Sequence, residues 1–478
     1  MIALYIVLGI VLLLILVVVI RTLAFKPKGV PAGFSDEVKF DSERATETLR
    51  ELCMCKTISS RVKSEEDEGE FSRFEELLST LFPRVSEVCE KKKLSPRSIL
   101  YRWQGRLHDA PTVLMSHYDV VSVTEENWQK PPFGGVIEDG VLWGRGTLDT
   151  KATLNGIMSS AEALIAEGFV PENDIYFAFG GNEEINGDGA QIIVDYFEKE
   201  GISPAVVIDE GGAVVEGVFP GVKEPCALIG IAEKGMLNVE YTVTGGGGHS
   251  SAPKPKTPVG RLARAALAVE GKPFKFRITK PAASLFDMVG RYSTFLYRMI
   301  FANLWLFSPA LNLLTRLTGG EMNALMRTTT AFTMMEGSKG VNVIPPKARM
   351  VSNHRIIPGE TQSSLLENIR KRIKDKSIEI SVIDGMDPSV VSTDSCAGYD
   401  RLRSVIKDTW PEAIVSPYLM VACSDSRHWG RISDRVYRFS AMALSSAERA
   451  TIHGNDERIP LATVAKTVEF YIRIMKRS

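Results

Sequence analysis

The chain opens on twenty uncharged residues, MIALYIVLGIVLLLILVVVI (1–20), apolar on every face. A run of that length suits a helix crossing a bilayer, whereas a helix on a soluble surface would keep a polar face. A cleaved leader would show a basic start and a small-residue cleavage site, and neither is evident. Arg21, Lys26 and Lys28 follow the run, while nothing basic but the amino terminus precedes it. That charge bias leans toward a cytoplasmic position for the rest of the chain. An anchor over 1–23 and a Pro- and Gly-rich linker over 24–36 are therefore expected.

Beyond the linker the pattern alternates between helical and strand periods. Helical spacing appears near 41–53, 69–83, 153–168 and 188–200, with Gly168 as a C-cap. Short apolar strands fit PTVLMSHYDVV (111–121), DIYFAFGGN (174–182) and AVVIDEGG (205–212). Strands alternating with helices predict a three-layer α/β domain with a mainly parallel sheet, its first part over 37–232. From 233 to 385 the order changes to strand 236–245, helix 258–270, strands 328–337 and 347–357, helix 361–374 and strand 378–384. That βαββαβ order predicts an inserted ferredoxin-like lid domain. Inside it, residues 286–326 form an apolar tract interrupted by Arg298, Pro309 and Arg316. Those breaks argue against a second span and for amphipathic helices that cover the insert or line a greasy substrate channel. The α/β pattern resumes over 386–478, with helices at 399–408 and 460–475.

Composition adds little. A length of 478 residues calls for two folded units, and a net charge of -1 gives no reason to expect nucleic acid as a partner. The six cysteines include Cys53-x-Cys55, too tight for a usual zinc pair and without a second pair, so free thiols are expected.

The chemistry lies in a series of acids and histidines at strand ends: His117 and Asp119, Asp149, Glu183–Glu184, Asp209 and finally His453. An α/β sheet places its reactive groups where strands give way to loops. Two imidazoles and three carboxylates suit a pair of divalent ions, zinc above all, sharing one bridging carboxylate. Such ions activate water and polarise a carbonyl, as amide hydrolysis requires. With adjacent Glu183 and Glu184, one carboxylate can bind metal while its neighbour faces the water. Asp119, two residues beyond His117 on the same strand face, can hold that imidazole from behind. No HExxH helix is present. Singly, each residue has a plainer reading: Asp149 as a helix cap, His249 as part of a tight Gly-rich bend. GGGG (245–248) lacks the Lys-Ser/Thr of a phosphate loop.

Six ordered motifs carry a resemblance: SHYDVV (116–121), GRGTLDTKATLNG (144–156), GGNEEINGDGA (180–190), VIDEGG (207–212), GGGGHSSAP (245–253) and TIHGNDER (451–458). The chain resembles the M20 metallopeptidases, the carboxypeptidase and aminoacylase group. CSDSRHWG (423–430) and the apolar insert are most similar to the Gly-X carboxypeptidase (carboxypeptidase S) and N-acyl-amino-acid hydrolase branch. The resemblance implies two zinc ions bridged by Asp149, one completed by Glu184 and His453, the other by His117 and Asp209. It implies Glu183 as general base, Asp119 orienting His117, and His249 stabilising the oxyanion from the lid. Asn342 and Arg355 would hold the substrate carboxylate, with Arg427 a second candidate; Asn353 stands where the family usually has an acid two residues before that arginine. The implied substrate is a short peptide cut at its C-terminal residue or an N-acyl amino acid. Small N-acetyl metabolites and a non-catalytic binding protein of the same fold remain as rivals. A homodimer through the lid stays open.

Overall fold

The computed structural model describes residues 1–27, 37–217, 219 and 221–478, so most of the expected linker over 24–36 lies outside the described residues. Among the described residues the main sheet has ten strands, and four neighbours run parallel at its centre. Leu107–His117 lies between Asn173–Gly180 and Val206–Asp209, parallel to both. Val436–Arg438 continues the parallel set beside Val206–Asp209. The flanks mix both senses: Glu90–Ser95 and Ser98–Trp103 pair antiparallel, Cys226–Glu233 pairs antiparallel with Val214–Val215, and Ile414–Met420 pairs parallel with Cys226–Glu233. The sheet is therefore mixed rather than mainly parallel. Short polar strands such as EKKKLS carry little apolar period, so these edges leave a faint trace in sequence.

Alternate side chains of one strand feed two cores, as the pleat requires. From Asn173–Gly180, Ile175, Phe177 and Phe179 enter a core shared with Leu154, Ile157, Val468 and Tyr471. Tyr176 and Ala178 turn to the opposite core, with Ile193, Phe197 and Trp429. Helices Lys151–Ala166 and Leu461–Lys476 cover the first face, and Gly189–Lys199 covers the second. Both faces are covered, so the central strands read as nearly continuous apolar runs.

A separate four-stranded antiparallel sheet runs Thr329–Glu336, Lys347–Ile356, Gly235–Thr244, Ile378–Met386. Helices Pro258–Glu270 and Gln362–Arg372 pack on it around Tyr241, Met350, Leu262 and Ile369. Between its first helix and its second strand come four helices: Lys280–Gly290, Phe295–Ala302, Leu304–Thr318 and Gly320–Ala324. Leu285, Phe286, Val289 and Phe301 from these helices share a core with Tyr418 and Met420 of the main sheet. The N-terminal run is a helix, Ile2–Ala24. Among the described residues it is the one helix long and apolar enough to cross a membrane, a test that a signal sequence also passes. All six cysteines are free thiols, as expected.

Candidate metal centre

The site forms where the central parallel strands end. His117 closes one strand, Glu183 and Glu184 follow another after the turn at Gly181, and Asp209 closes a third. Gly181 is required there, because a Cβ would overlap the buried Tyr118 ring. Asp149 precedes helix Lys151–Ala166 but does not cap it; the N-cap is Thr150, without a side-chain cap bond. The Asp149 side chain is committed elsewhere. Its Oδ1 lies 2.9 Å from His117 Nε2 and its Oδ2 lies 2.9 Å from His453 Nε2. Glu184 Oε2 lies 3.0 Å from the same His453 nitrogen. One carboxylate thus stands between two imidazoles, each flanked by a further acid.

The further acid beside His117 is not Asp209. Glu210 Oε1 lies 3.3 Å from His117 Nε2, and His117, Glu183 and Glu210 bring donor atoms within 4.8 Å of one another. Asp209 is turned away: its Oδ2 accepts from the Ser426 main-chain N–H at 2.9 Å. Successive side chains of a strand point to opposite sides, so only one of two adjacent acids can face His117. Of the two adjacent acids, Glu210 rather than the expected Asp209 presents its carboxylate to His117. Asp209 instead joins buried Glu233, which accepts from Ser424 N–H at 2.8 Å, in fixing the loop 423–427.

Asp119 acts on two partners. Its main-chain oxygen and Oδ1 lie 3.0 Å and 3.4 Å from His117 Nδ1, which leaves Nε2 free to face the cluster. The same carboxylate accepts from the main-chain N–H groups of Glu183 and Glu184, each at 3.1 Å, and from the Ser59 hydroxyl at 2.6 Å. It sets the histidine and the Glu–Glu turn in one frame. Glu457, fully buried and unnoticed in the sequence, does the same for Asp149. It accepts from Arg145 Nη1 at 2.6 Å, Gly146 N–H at 3.0 Å, Leu148 N–H at 2.7 Å and Asp149 N–H at 3.1 Å. Arg145 Nη2 also donates to Gly454 at 2.7 Å, beside His453, whose φ of 58° lies where non-glycine residues are uncommon. The motif TIHGNDER held the signal: an acid four residues after the histidine.

Electrostatically the cluster is a crowd of buried acids around two imidazoles. Burial lifts the Glu183 carboxyl well above its usual range, and Asp425, Glu210 and Glu184 add to that against the pull of His117. Burial and the neighbouring Asp149 and Asp209 push Glu210 up to about 8, with His117 opposing. His453 is pushed up to about 10 by its hydrogen bonds to Asp149 and Glu184. Buried like charges force protons onto carboxyl groups unless a cation compensates them. His117, Asp149 and Glu184 form a second group with donor atoms within 4.8 Å of one another, a set of imidazole and carboxylate donors that could hold a metal ion.

Arg427 and Arg355 converge on Cys423 next to the cluster. Arg427, nearly buried, donates to the Ser424 carbonyl at 2.7 Å and lies 3.7 Å from Asp425. Arg355 Nη1 lies 3.3 Å from Cys423 Sγ. A cavity of about 400 Å³ opens beside Arg427, lined by Arg61, Asn186, Met236 and Met386. His249 and Asn342 lie together on the ribbon that pairs Gly248–His249 with Val343–Ile344. There His249 Nδ1 lies 2.8 Å from Ser251 Oγ and the Asn342 carbonyl accepts from Ser250 N–H at 3.1 Å. Both are exposed, outside the buried cluster.

Residues 113–477 match Peptidase family M20/M25/M40. The chain is 36% identical over 431 residues to a probable carboxypeptidase S-like 2 of Dictyostelium discoideum, covering 88% of this chain and 83% of that protein. It is also 36% identical over 445 residues to the N-fatty-acyl-amino acid synthase/hydrolase PM20D1 of Xenopus tropicalis, covering 92% of this chain and 86% of that protein. Among solved structures, an M20 family metallo-carboxypeptidase from Sulfolobus solfataricus superposes with a TM-score of 0.69 at 19% identity, covering 90% of this chain and 98% of that one.

Proposed function

The chain belongs to the peptidase family M20/M25/M40, an enzyme family of metal-dependent peptidases and amidohydrolases, and on that footing we propose that it hydrolyses an amide bond next to a free carboxylate with two zinc ions. The observation that carries the reading is Asp149, with one oxygen 2.9 Å from each of two imidazoles. His453 and Glu184 are the donors on one side, His117 and Glu210 on the other. Bound ions would supply Lewis acidity at the substrate carbonyl and a more acidic water.

The remaining steps belong to the chain itself. Glu183 takes the proton of the attacking water and delivers it to the leaving amine, a task suited to a carboxyl group lifted by burial. Asp119 keeps His117 and the Glu183–Glu184 turn in register. Arg427 and Arg355 offer guanidinium groups to the substrate carboxylate. His249 is the oxyanion donor, brought in by movement of the four-stranded sheet as a lid. The helix Ile2–Ala24 is read as a membrane anchor, with Val18 and Thr22 its buried residues. The relatives' names point to two substrate groups: C-terminal residues of short peptides and N-fatty-acyl amino acids.

The test is a kinetic panel of Gly-X dipeptides, N-acetyl amino acids and N-fatty-acyl amino acids, run beside metal analysis. The expected result is about two zinc equivalents and turnover on the first or third group. Turnover confined to N-acetyl substrates, or none with the metals in place, overturns the assignment.

A further inference from the structure

The apolar insert and the N-terminal helix, far apart in sequence, meet in the fold. Arg21 donates to the Ala302 carbonyl from Nε at 3.3 Å and from Nη2 at 3.0 Å. Asn303 Nδ2 lies 3.3 Å from both the Val18 carbonyl and Thr22 Oγ1. Arg291 stacks over the Phe25 ring at 4.3 Å and donates to the Lys26 carbonyl at 3.0 Å. The last two turns of Ile2–Ala24 are therefore fastened to helices Lys280–Gly290, Phe295–Ala302 and the start of Leu304–Thr318. The preceding turns project from this junction with exposed side chains.

The outer face of Phe295–Ala302 and Leu304–Thr318 is apolar and open. Phe295, Leu296, Trp305, Leu313, Leu314 and Leu317 are all more than half exposed. On Leu304–Thr318, Trp305, Pro309, Leu313 and Leu317 recur every four residues, which puts them along one side. Residues 295–318 contain Arg298 and Arg316 and no acidic group. The Trp, Phe and Leu side chains along one face match the side that an interfacial helix buries at the acyl boundary, and Arg298 and Arg316 are the basic groups beside it. A helix of 23 residues is about 34 Å long, close to the roughly 30 Å thickness of a bilayer core. Its fastened end therefore comes to the membrane surface, and the insert helices come with it.

We propose that the face formed by Phe295–Ala302 and Leu304–Thr318 is a second membrane contact, laid on the lipid surface from which the N-terminal helix emerges. The inference rests on the reading of that helix as an anchor. The occupant is phospholipid acyl chain, which matches the apolar stripe, and the junction with the helix determines which side faces it.

Trp305 is itself a reporter. The full chain is placed in phosphatidylcholine nanodiscs, and the emission lost on Trp305→Phe isolates this one indole. Lipids brominated on the acyl chain should quench most of that difference signal, and acrylamide should quench little of it. Leu317→Trp, at a position 75% exposed, is a second reporter and should behave alike. Leu12→Trp reads the N-terminal helix, and Leu267→Trp, 70% exposed on Pro258–Glu270, marks a water-facing position. Quenching of Leu12→Trp by brominated lipid, with Trp305 and Leu317→Trp open to acrylamide, overturns the membrane face and leaves the anchor standing. Failure of brominated lipid to quench Leu12→Trp removes the anchor and the face together. Protection of Trp305 from both quenchers means that another copy of the chain covers it, which also overturns the inference.

Discussion

The main-chain N–H of Asp149 donates to Oε1 of Glu457 at 3.1 Å, across 308 positions of sequence. Glu457 touches neither histidine, yet it holds the loop of Asp149 and, through Arg145, the loop of His453. Groups that hold ligands from behind commonly change affinity or activity by about 10–100-fold when altered. Glu457→Gln should accordingly lower kcat by about that factor and weaken metal retention under dialysis. Unchanged turnover and metal content would show that the loops hold without it.

The choice between adjacent acids is open to direct measurement. Glu210→Gln should lower bound zinc by about one equivalent, because its carboxylate faces His117. Asp209→Asn should keep the metal and raise KM instead, through loosening of the loop that ends at Arg427. Zinc analysis and Michaelis curves on the two variants give opposite patterns if the assignment stands. The reverse pattern would restore Asp209 as the ligand.

Glu183→Gln keeps shape and removes proton transfer. Its zinc content should match the parent, and turnover should fall by at least about 10²–10⁴-fold, the usual contribution of a general base. A variant that keeps its rate would move the base elsewhere in the cluster.

A pH effect on stability is expected away from the metal centre. Burial, with Arg372 nearby, pushes the His354 imidazole down to about 4 from 6.5. Its ring lies between Ser352 Oγ at 2.7 Å and Thr330 Oγ1 at 2.8 Å. The group stays neutral in the fold, so between about pH 6.5 and about 4 the unfolded chain binds a proton that the native chain refuses. Stability is lost as pH falls through that window and is unaffected by this group above it. His354→Gln should flatten that segment of a urea-midpoint profile relative to the parent. Parallel profiles would mean that the histidine titrates alike in both states.

Much of this was legible because the site sits where patterns change. His117, Asp149, Glu184 and His453 each stand where an apolar strand or a motif breaks into a polar loop, and those breaks survive in one dimension. Asp209 against Glu210 was not legible. Facing at the last residue of a strand depends on register with its neighbours, which periodicity alone does not supply. Glu457 looked like one more charge in a polar loop, since its four donors lie more than 300 positions upstream. The apolar insert was visible as composition, but its partner at Arg21 is 281 residues distant. The antiparallel edge Glu90–Ser95 was hidden because it is short and polar.

The two imidazoles that flank Asp149 stand at positions 117 and 453 of 478. During synthesis, the amino-terminal half can assemble its strands and present most of the acids, but the last donor emerges from the ribosome almost at the end of translation. The His453 side of the cluster therefore closes only when nearly the whole polypeptide has been made, whereas the acids around His117 all belong to its first half.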